Sequence, residues 1–211
     1  MTEVTLGSSR QPVPLPAHIA HFYSGPDDLG DQLAFARSAI DDPKEALVLF
    51  GPRGVAGALL RALETHVGRD LESERAQGRI VLAHGDTDPD QQLQTLLGAI
   101  REPLSKGFER VRLLASVSWD IPDWPPPEDL LWMESHFTDA IAKLPVVAVC
   151  AYDLARMPGD ALIYGGIETH PLIYLGGKLS ANPQFVPPER YIASRISQLP
   201  WLSPTEDSRR I

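Results

Sequence analysis

Short apolar runs alternate with amphipathic stretches along most of the chain. The runs are rich in β-branched residues and are flanked by turn residues, which is typical of buried strands. The stretches between them repeat apolar residues every three to four positions, as Leu29, Leu33, Ala36 and Ile40 do, which is typical of helices. The predicted strands are residues 18–24, 45–50, 79–83, 110–117 and 146–152. This alternation predicts an α/β protein, a three-layer sandwich with a mostly parallel central sheet.

The pattern changes after residue 152. Residues 160–170 and 171–177 are predicted to form strands or strand-like edges, and residues 188–199 a last helix. Leu93, Leu97, Ile100 and Leu104 predict a third helix. Pro103 is expected to kink or end it, because proline cannot donate a backbone hydrogen bond. We expect three parts: a flexible N-terminal arm over 1–17, a single α/β domain over 18–200, and a polar tail over 201–211.

Composition narrows the classes of function. The chain has 211 residues, 43% of them hydrophobic, and a net charge of −9. This balance argues against direct binding to nucleic acid or to an anionic membrane surface, since both reward clustered Lys and Arg. There is no basic start followed by an apolar core, and no apolar run approaches the roughly 20 residues of a membrane helix. We therefore expect a soluble, cytoplasmic protein.

A glycine-rich turn follows the predicted strand 45–50, where a phosphate-binding P-loop would lie. Gly51-Pro52-Arg53-Gly54 lacks the P-loop lysine and the Ser/Thr that binds magnesium, so ATP hydrolysis is not expected. The N-terminus of the following helix, with Arg53, could still attract an anion. Gly51, Arg53 and Gly54 are thus an alternative anion or nucleotide site, and an ordinary turn is the simpler interpretation.

The segment 146–171 carries a thiol, a phenol, a carboxylate and an imidazole: Cys150, Tyr152, Asp153 and His170. Cys150 is the only cysteine, so a disulfide within the chain and a zinc site of several thiolates are excluded. Its apolar setting favours the role of a buried, packed side chain over that of a nucleophile, because a nucleophile needs a stabilised thiolate.

No metal is expected from the spacing of the histidines. His18 and His21 would point to opposite faces of a strand, since side chains alternate there, and no helical His pair is present. The expected site therefore contains neither a metal nor another cofactor.

Glu134 lies within the apolar face of the predicted helix 128–143. A carboxylate among core residues must be paired, hydrogen-bonded or protonated. Two interpretations stay open: a Glu at the edge of the face that reaches water or an Arg, and a polar group that lines an internal cavity.

Three short motifs resemble a known family. His18 with Phe22-Tyr23, the sequence CAYD at 150–153 and THP at 169–171 look like the MEDS domain, the methanogen/methylotroph sensory domain. The likeness runs from about His18 to Tyr191. It implies a fold similar to the RecA-like ATPase core, without a working Walker A motif. It also implies a sensory role in regulators that respond to simple hydrocarbon derivatives.

The leading hypothesis is a non-enzymatic sensor that binds a small organic ligand near the strand ends. The candidate lining residues are His18, Tyr23, Glu134, Cys150, Tyr152, Asp153 and His170. No helix-turn-helix signature is visible, so the signal is expected to pass through a separate regulatory protein of kinase, anti-sigma or transcription-factor type. The alternatives are a residual nucleotide-binding protein or weak NTPase, and a ligand-free interaction scaffold. Homodimerisation is left open.

Overall fold

The computed structural model describes residues 2–6, 9–25 and 29–195. The strands are β1 Thr2–Leu6, β2 Ser9–Val13, β3 Ala17–Tyr23, β4 Glu45–Gly51, β5 Ile80–His84, β6 Arg110–Ser116, β7 Val146–Asp153, β8 Leu172–Leu175 and β9 Lys178–Ala181. The helices are α1 Leu29–Asp41, α2 Val55–Val67, α3 Glu72–Ala76, α4 Pro89–Ser105, α5 Pro127–Ala140 and α6 Pro188–Arg195. A π-helix spans Ala161–Ile167.

Seven of the strands form one sheet in the order β5-β4-β6-β7-β3-β8-β9. The neighbours from β5 to β8 are parallel, and β9 is antiparallel to β8. Helices cover both faces of this sheet, so the predicted three-layer α/β class is confirmed. The predicted likeness to the RecA core stays a prediction.

Each face of the sheet has its own apolar core. One core packs under α4, α5 and the π-helix and includes Leu113 and Phe137. The other packs under α1 and α2 and includes Leu47 and Leu63. Fully burying each such side chain contributes about 1.5–3 kcal/mol, so both helical layers are held mainly by apolar burial.

The alternation of side chains along β3 decides what lies under α5. Ala20 and Phe22 belong to the core on the α5 side, whereas Ala17 and Ile19 belong to the opposite core. His18 has the same parity as Ala20 and therefore points to the α5 side. Ala20 is the register partner of Cys150 on β7, so His18 and Cys150 share one face of two adjacent central strands.

The prediction of a strand within residues 160–170 is wrong, because this segment contains the π-helix. An apolar run of this length does not distinguish a strand from a buried helical turn. Two glycines let the π-helix approach the sheet closely. A Cβ on Gly166 would lie 2.7 Å from the Phe22 ring, and Tyr152 donates a hydrogen bond to the Gly165 carbonyl at 2.9 Å.

Smaller differences occur near other boundaries. β1 and β2 form an antiparallel pair within the first 17 residues, where the sequence predicts an arm. The third predicted helix, α4, continues past Pro103 to Ser105, so the proline falls in its last turn. Residues 196–199 of the predicted last helix and the tail 201–211 lie outside the described residues. The predicted domain boundaries stay predictions.

Candidate functional site

Four ionisable side chains meet between α5 and the sheet, and we call them the buried cluster: His18, Glu134, Cys150 and His170. One ligand atom from each lies within 4.8 Å of the others. His18 Nε2 is 3.4 Å from Cys150 Sγ and 3.9 Å from Glu134 Oε2, and His170 Nε2 is 3.8 Å from Glu134 Oε2. All four residues are at most 3% exposed.

Four separate elements position these side chains. His18 and Cys150 come from the neighbouring strands β3 and β7, and Glu134 comes from the buried face of α5. His170 lies between the π-helix and β8. There the Asn182 Nδ2 atom donates a hydrogen bond to the His170 carbonyl at 2.7 Å, which fixes the backbone. The buried cluster therefore forms only when α5 and the π-helix segment pack against the sheet.

Threonine hydroxyls hold both imidazole rings through Nδ1. His18 Nδ1 is 2.9 Å from Thr138 Oγ1, and His170 Nδ1 is 2.9 Å from Thr169 Oγ1. The Thr169 hydroxyl donates its one proton to the Gly165 carbonyl, so it accepts from His170. His170 therefore carries its proton on Nδ1 and turns the lone pair of Nε2 toward Glu134.

Burial determines the protonation of the cluster. It raises the pKa of Glu134 to about 8 and lowers the pKa of His170 to about 3. The pKa of His18 is lowered by burial and by His170, and burial followed by Glu134 raises the pKa of the Cys150 thiol. The close His–Glu approaches are therefore not ion pairs at neutral pH, where all four groups are predominantly uncharged.

Two cavities flank the cluster. The larger cavity has a volume of about 140 Å³ and a mostly apolar lining, and His18 forms part of its wall. Its lining residues are Pro14, Pro16, Ala17, His18, Thr138, Ile141, Pro171 and Leu172. The smaller, of about 10 Å³, touches Glu134 and Cys150 and has room for about one water molecule.

Glu134 is a polar group inside the core and not one at the edge of a helix face. Its side chain is 4% exposed, and it lines the smaller cavity. Its Oε2 atom has no hydrogen-bond partner among the described residues, and neither does His170 Nε2. Both unpartnered atoms point into the cluster.

The other candidate residues from the sequence lie outside the cluster. Tyr152 borders it, with its ring edge-on to His170 at 5.6 Å, but its hydroxyl is bonded to the π-helix. Tyr23 and Asp153 are register partners at the carboxyl ends of β3 and β7. Burial and then Asp153 raise the pKa of Tyr23, and Asp153 forms an ion pair with the exposed Arg156 at 3.6 Å.

The glycine-rich turn lies at the carboxyl end of β4, as expected from the sequence. Gly54 has φ of 86°, a conformation that glycine adopts readily, and α2 begins at Val55. The Val55 N–H donates to the Pro52 carbonyl at 2.9 Å, so one backbone donor near the helix start is used within the turn. Gly51 is buried, whereas Arg53 is exposed.

Of the two histidines on β3, His18 belongs to the buried cluster and His21 does not. His21 lies on the opposite face from His18, edge-on to Tyr174 at 5.0 Å, as alternation along a strand requires. The side chains that could hold a metal come instead from four elements, which spacing along the chain does not reveal. Sequence reasoning also missed Thr138, although it lies one helical turn after Glu134 on the same face.

Comparison with known protein families gives a match. A family model described as MEDS, "MEthanogen/methylotroph, DcmR Sensory domain", matches residues 17–171. No curated protein matches the chain. In the part of the chain that the structure describes, none of the helices combines the length and apolar character needed to cross a membrane.

Proposed function

The chain belongs to the MEDS family of sensory domains, and we propose that it is a non-enzymatic module that binds a small organic molecule. In this proposal, binding is signalled to a separate regulatory protein. The observation that carries the ligand assignment is the mostly apolar cavity of about 140 Å³ beside His18 and Thr138.

The size and lining of this cavity favour a small, mostly apolar molecule. A protein cavity of about 150 Å³ accommodates benzene, so the cavity beside His18 suits a ligand of about six heavy atoms or fewer. Pro171, Ile141 and Leu172 supply apolar wall, and His18 and Thr138 supply the polar atoms. A mostly apolar pocket with few polar groups is the usual design of a small-molecule site.

The cavity lies where a ligand would contact several elements at once. Pro14 and Pro16 come from the segment before β3, Thr138 from α5, and Leu172 from the start of β8. A ligand that fits one arrangement of these elements better than another shifts the equilibrium between them. A partner protein that binds one arrangement in preference to the other would then respond to the presence of the ligand.

Calorimetric titration with small halocarbons, alcohols and amines tests this proposal. We expect at least one class to bind saturably to the wild type and not to Leu172→Trp, whose larger side chain fills the cavity. Leu175→Trp is the matched control, because Leu175 lies on the same strand but is 54% exposed and outside the cavity. Undiminished binding by a folded Leu172→Trp protein would contradict the proposed location, and no binding to the wild type would contradict the ligand class.

A further inference from the structure

We propose that His18, Glu134, Cys150 and His170 together bind one divalent transition-metal ion of the zinc class. The inference goes beyond the proposed sensory function, because the cluster and the organic-ligand cavity share only His18. Imidazole, thiolate and carboxylate are the three kinds of side chain that bind zinc in proteins.

The distances within the cluster suit a tetrahedral ion. Metal–ligand bonds of about 2.0–2.3 Å at tetrahedral angles separate the ligand atoms by about 3.3–3.8 Å. Three of the six separations between ligand atoms in the buried cluster are 3.4, 3.8 and 3.9 Å, and all six are at most 4.8 Å. Shifts of up to about 1 Å would bring all four ligand atoms to bonding positions.

The surroundings orient the ligands as a metal site requires. Metal-bound imidazoles usually hydrogen-bond through the second ring nitrogen, which fixes the ring and its tautomer. Thr138 and Thr169 each hold one Nδ1 atom at 2.9 Å. The hydroxyl geometry of Thr169 places the His170 proton on Nδ1, so Nε2 presents a lone pair to the centre of the cluster.

Two polar atoms in the cluster need a partner that the described residues do not supply. Glu134 Oε2 and His170 Nε2 are buried without a hydrogen bond. A buried polar group without a partner is unfavourable, and such groups in native proteins commonly mark a bound ion or water. A single cation between them would satisfy both atoms at once.

The charges of the four ligands match a divalent ion. A thiolate from Cys150 and a carboxylate from Glu134 would carry two negative charges, and the two imidazoles would be neutral. The occupied site would then have no net charge, which reduces the cost of burial. Four protein ligands also complete a tetrahedral shell, so the site belongs to the closed, structural kind and leaves no position for a reacting water.

Titration of the untagged, metal-free protein with Co²⁺ tests this proposal, because cobalt replaces zinc and is coloured. We expect one equivalent to bind with a thiolate-to-cobalt charge-transfer absorption, and Zn²⁺ to displace it. The charge-transfer band should be lost in Cys150→Ser, and Glu134→Gln should weaken binding at least tenfold. His84→Ala removes an exposed histidine outside the cluster and should bind as the wild type does.

Glu134→Gln keeps the shape of the side chain, and circular dichroism shows whether each variant is folded. A folded wild type that takes up neither Co²⁺ nor Zn²⁺ would overturn the proposal. Binding with no charge-transfer band, or a band that persists in Cys150→Ser, would overturn it equally, because the ion would then lie elsewhere. Failure of the metal titration with success of the organic-ligand titration would leave the proposed sensory function standing.

Discussion

Two glutamates are buried to the same extent in this protein, and their surroundings differ completely. Glu45 and Glu134 are each 3% exposed. Glu45, at the start of β4, accepts a hydrogen bond from Arg110 Nε at 2.9 Å and another from Arg112 Nε. Glu134 Oε2 has no hydrogen-bond partner among the described residues, and the two histidine Nε2 atoms lie 3.8 and 3.9 Å from it, beyond hydrogen-bond distance.

The difference shows how one chain treats a buried carboxylate in two ways. Around Glu45 the fold supplies arginines, which are always charged and match a carboxylate geometrically. Around Glu134 it supplies groups that burial keeps uncharged and that are good metal ligands. We infer that the Glu45 carboxylate stabilises the fold, whereas the Glu134 carboxylate binds an ion.

Removing the carboxylate at position 45 should give the largest effect. Glu45→Gln removes the carboxylate from the buried ion pair with Arg112, and breaking such a pair costs about 3–5 kcal/mol. Urea unfolding measures this loss. Glu109→Gln removes an exposed partner of Lys44 and should change the free energy of unfolding by at most about 1 kcal/mol. Equal losses in the two variants would contradict the structural role of Glu45.

Zinc should stabilise the wild type about twice as much as Glu134→Gln, or more, at the same zinc concentration. A free zinc concentration of 100 times the dissociation constant adds about 2.7 kcal/mol to the folded state. For a chain of this size the melting temperature should rise by about 5–10 °C. Thermal unfolding with zinc and with a chelator measures the shift. A similar shift in Glu134→Gln would remove the distinction between the two glutamates.

Replacing Thr169 should weaken metal binding, in addition to any loss of stability from its two buried hydrogen bonds, which it makes to the Gly165 carbonyl and with His170 Nδ1. Thr169→Val keeps the shape but removes the acceptor for His170 Nδ1, and loss of such a supporting contact weakens metal affinity about 10–100-fold. Competition with a coloured chelator measures the affinity. Thr65→Val is the control, since that hydroxyl is exposed and donates to the Arg61 carbonyl, away from the buried cluster. Unchanged affinity in Thr169→Val would argue against His170 as a ligand.

The smallest effect should come from Glu134→Gln in the metal-free protein. The carboxyl is already predominantly neutral and its Oε2 atom makes no hydrogen bond, so an amide of the same shape should change the free energy of unfolding by about 1 kcal/mol or less. Urea unfolding in the presence of a chelator tests this. A loss as large as that of Glu45→Gln would show that Glu134 has a structural role of its own.

The sequence predicts the sheet well and the π-helix poorly, for a physical reason. Strands such as 45–50 and 146–152 are bounded by turn residues and separated by amphipathic helices. The local sequence pattern is therefore enough to predict them. The π-helix over residues 161–167 depends on close packing of Gly165 against Leu131 and of Gly166 against Phe22. Leu131 and Phe22 are distant from the π-helix in the sequence. A pattern of apolar residues does not contain that information.

The candidate site is predictable in its members and not in its arrangement. The helical phase of α5 correctly places Glu134 on an apolar face, and strand alternation correctly separates His18 from His21. His18 and Cys150 are 132 residues apart in the chain, and bringing them together depends on the pairing of β3 with β7. The partner threonines, Thr138 and Thr169, become meaningful only once the two rings are in place.

X-ray absorption spectroscopy of the zinc-loaded protein tests the central claim most directly, because it measures the atoms bound to the ion. We predict a first shell with one sulfur at about 2.3 Å and three nitrogen or oxygen atoms at about 2.0–2.1 Å. Two of these should show the outer-shell scattering of imidazole rings. A shell without sulfur, or one of oxygen atoms alone, would contradict the assignment of the buried cluster as the metal site.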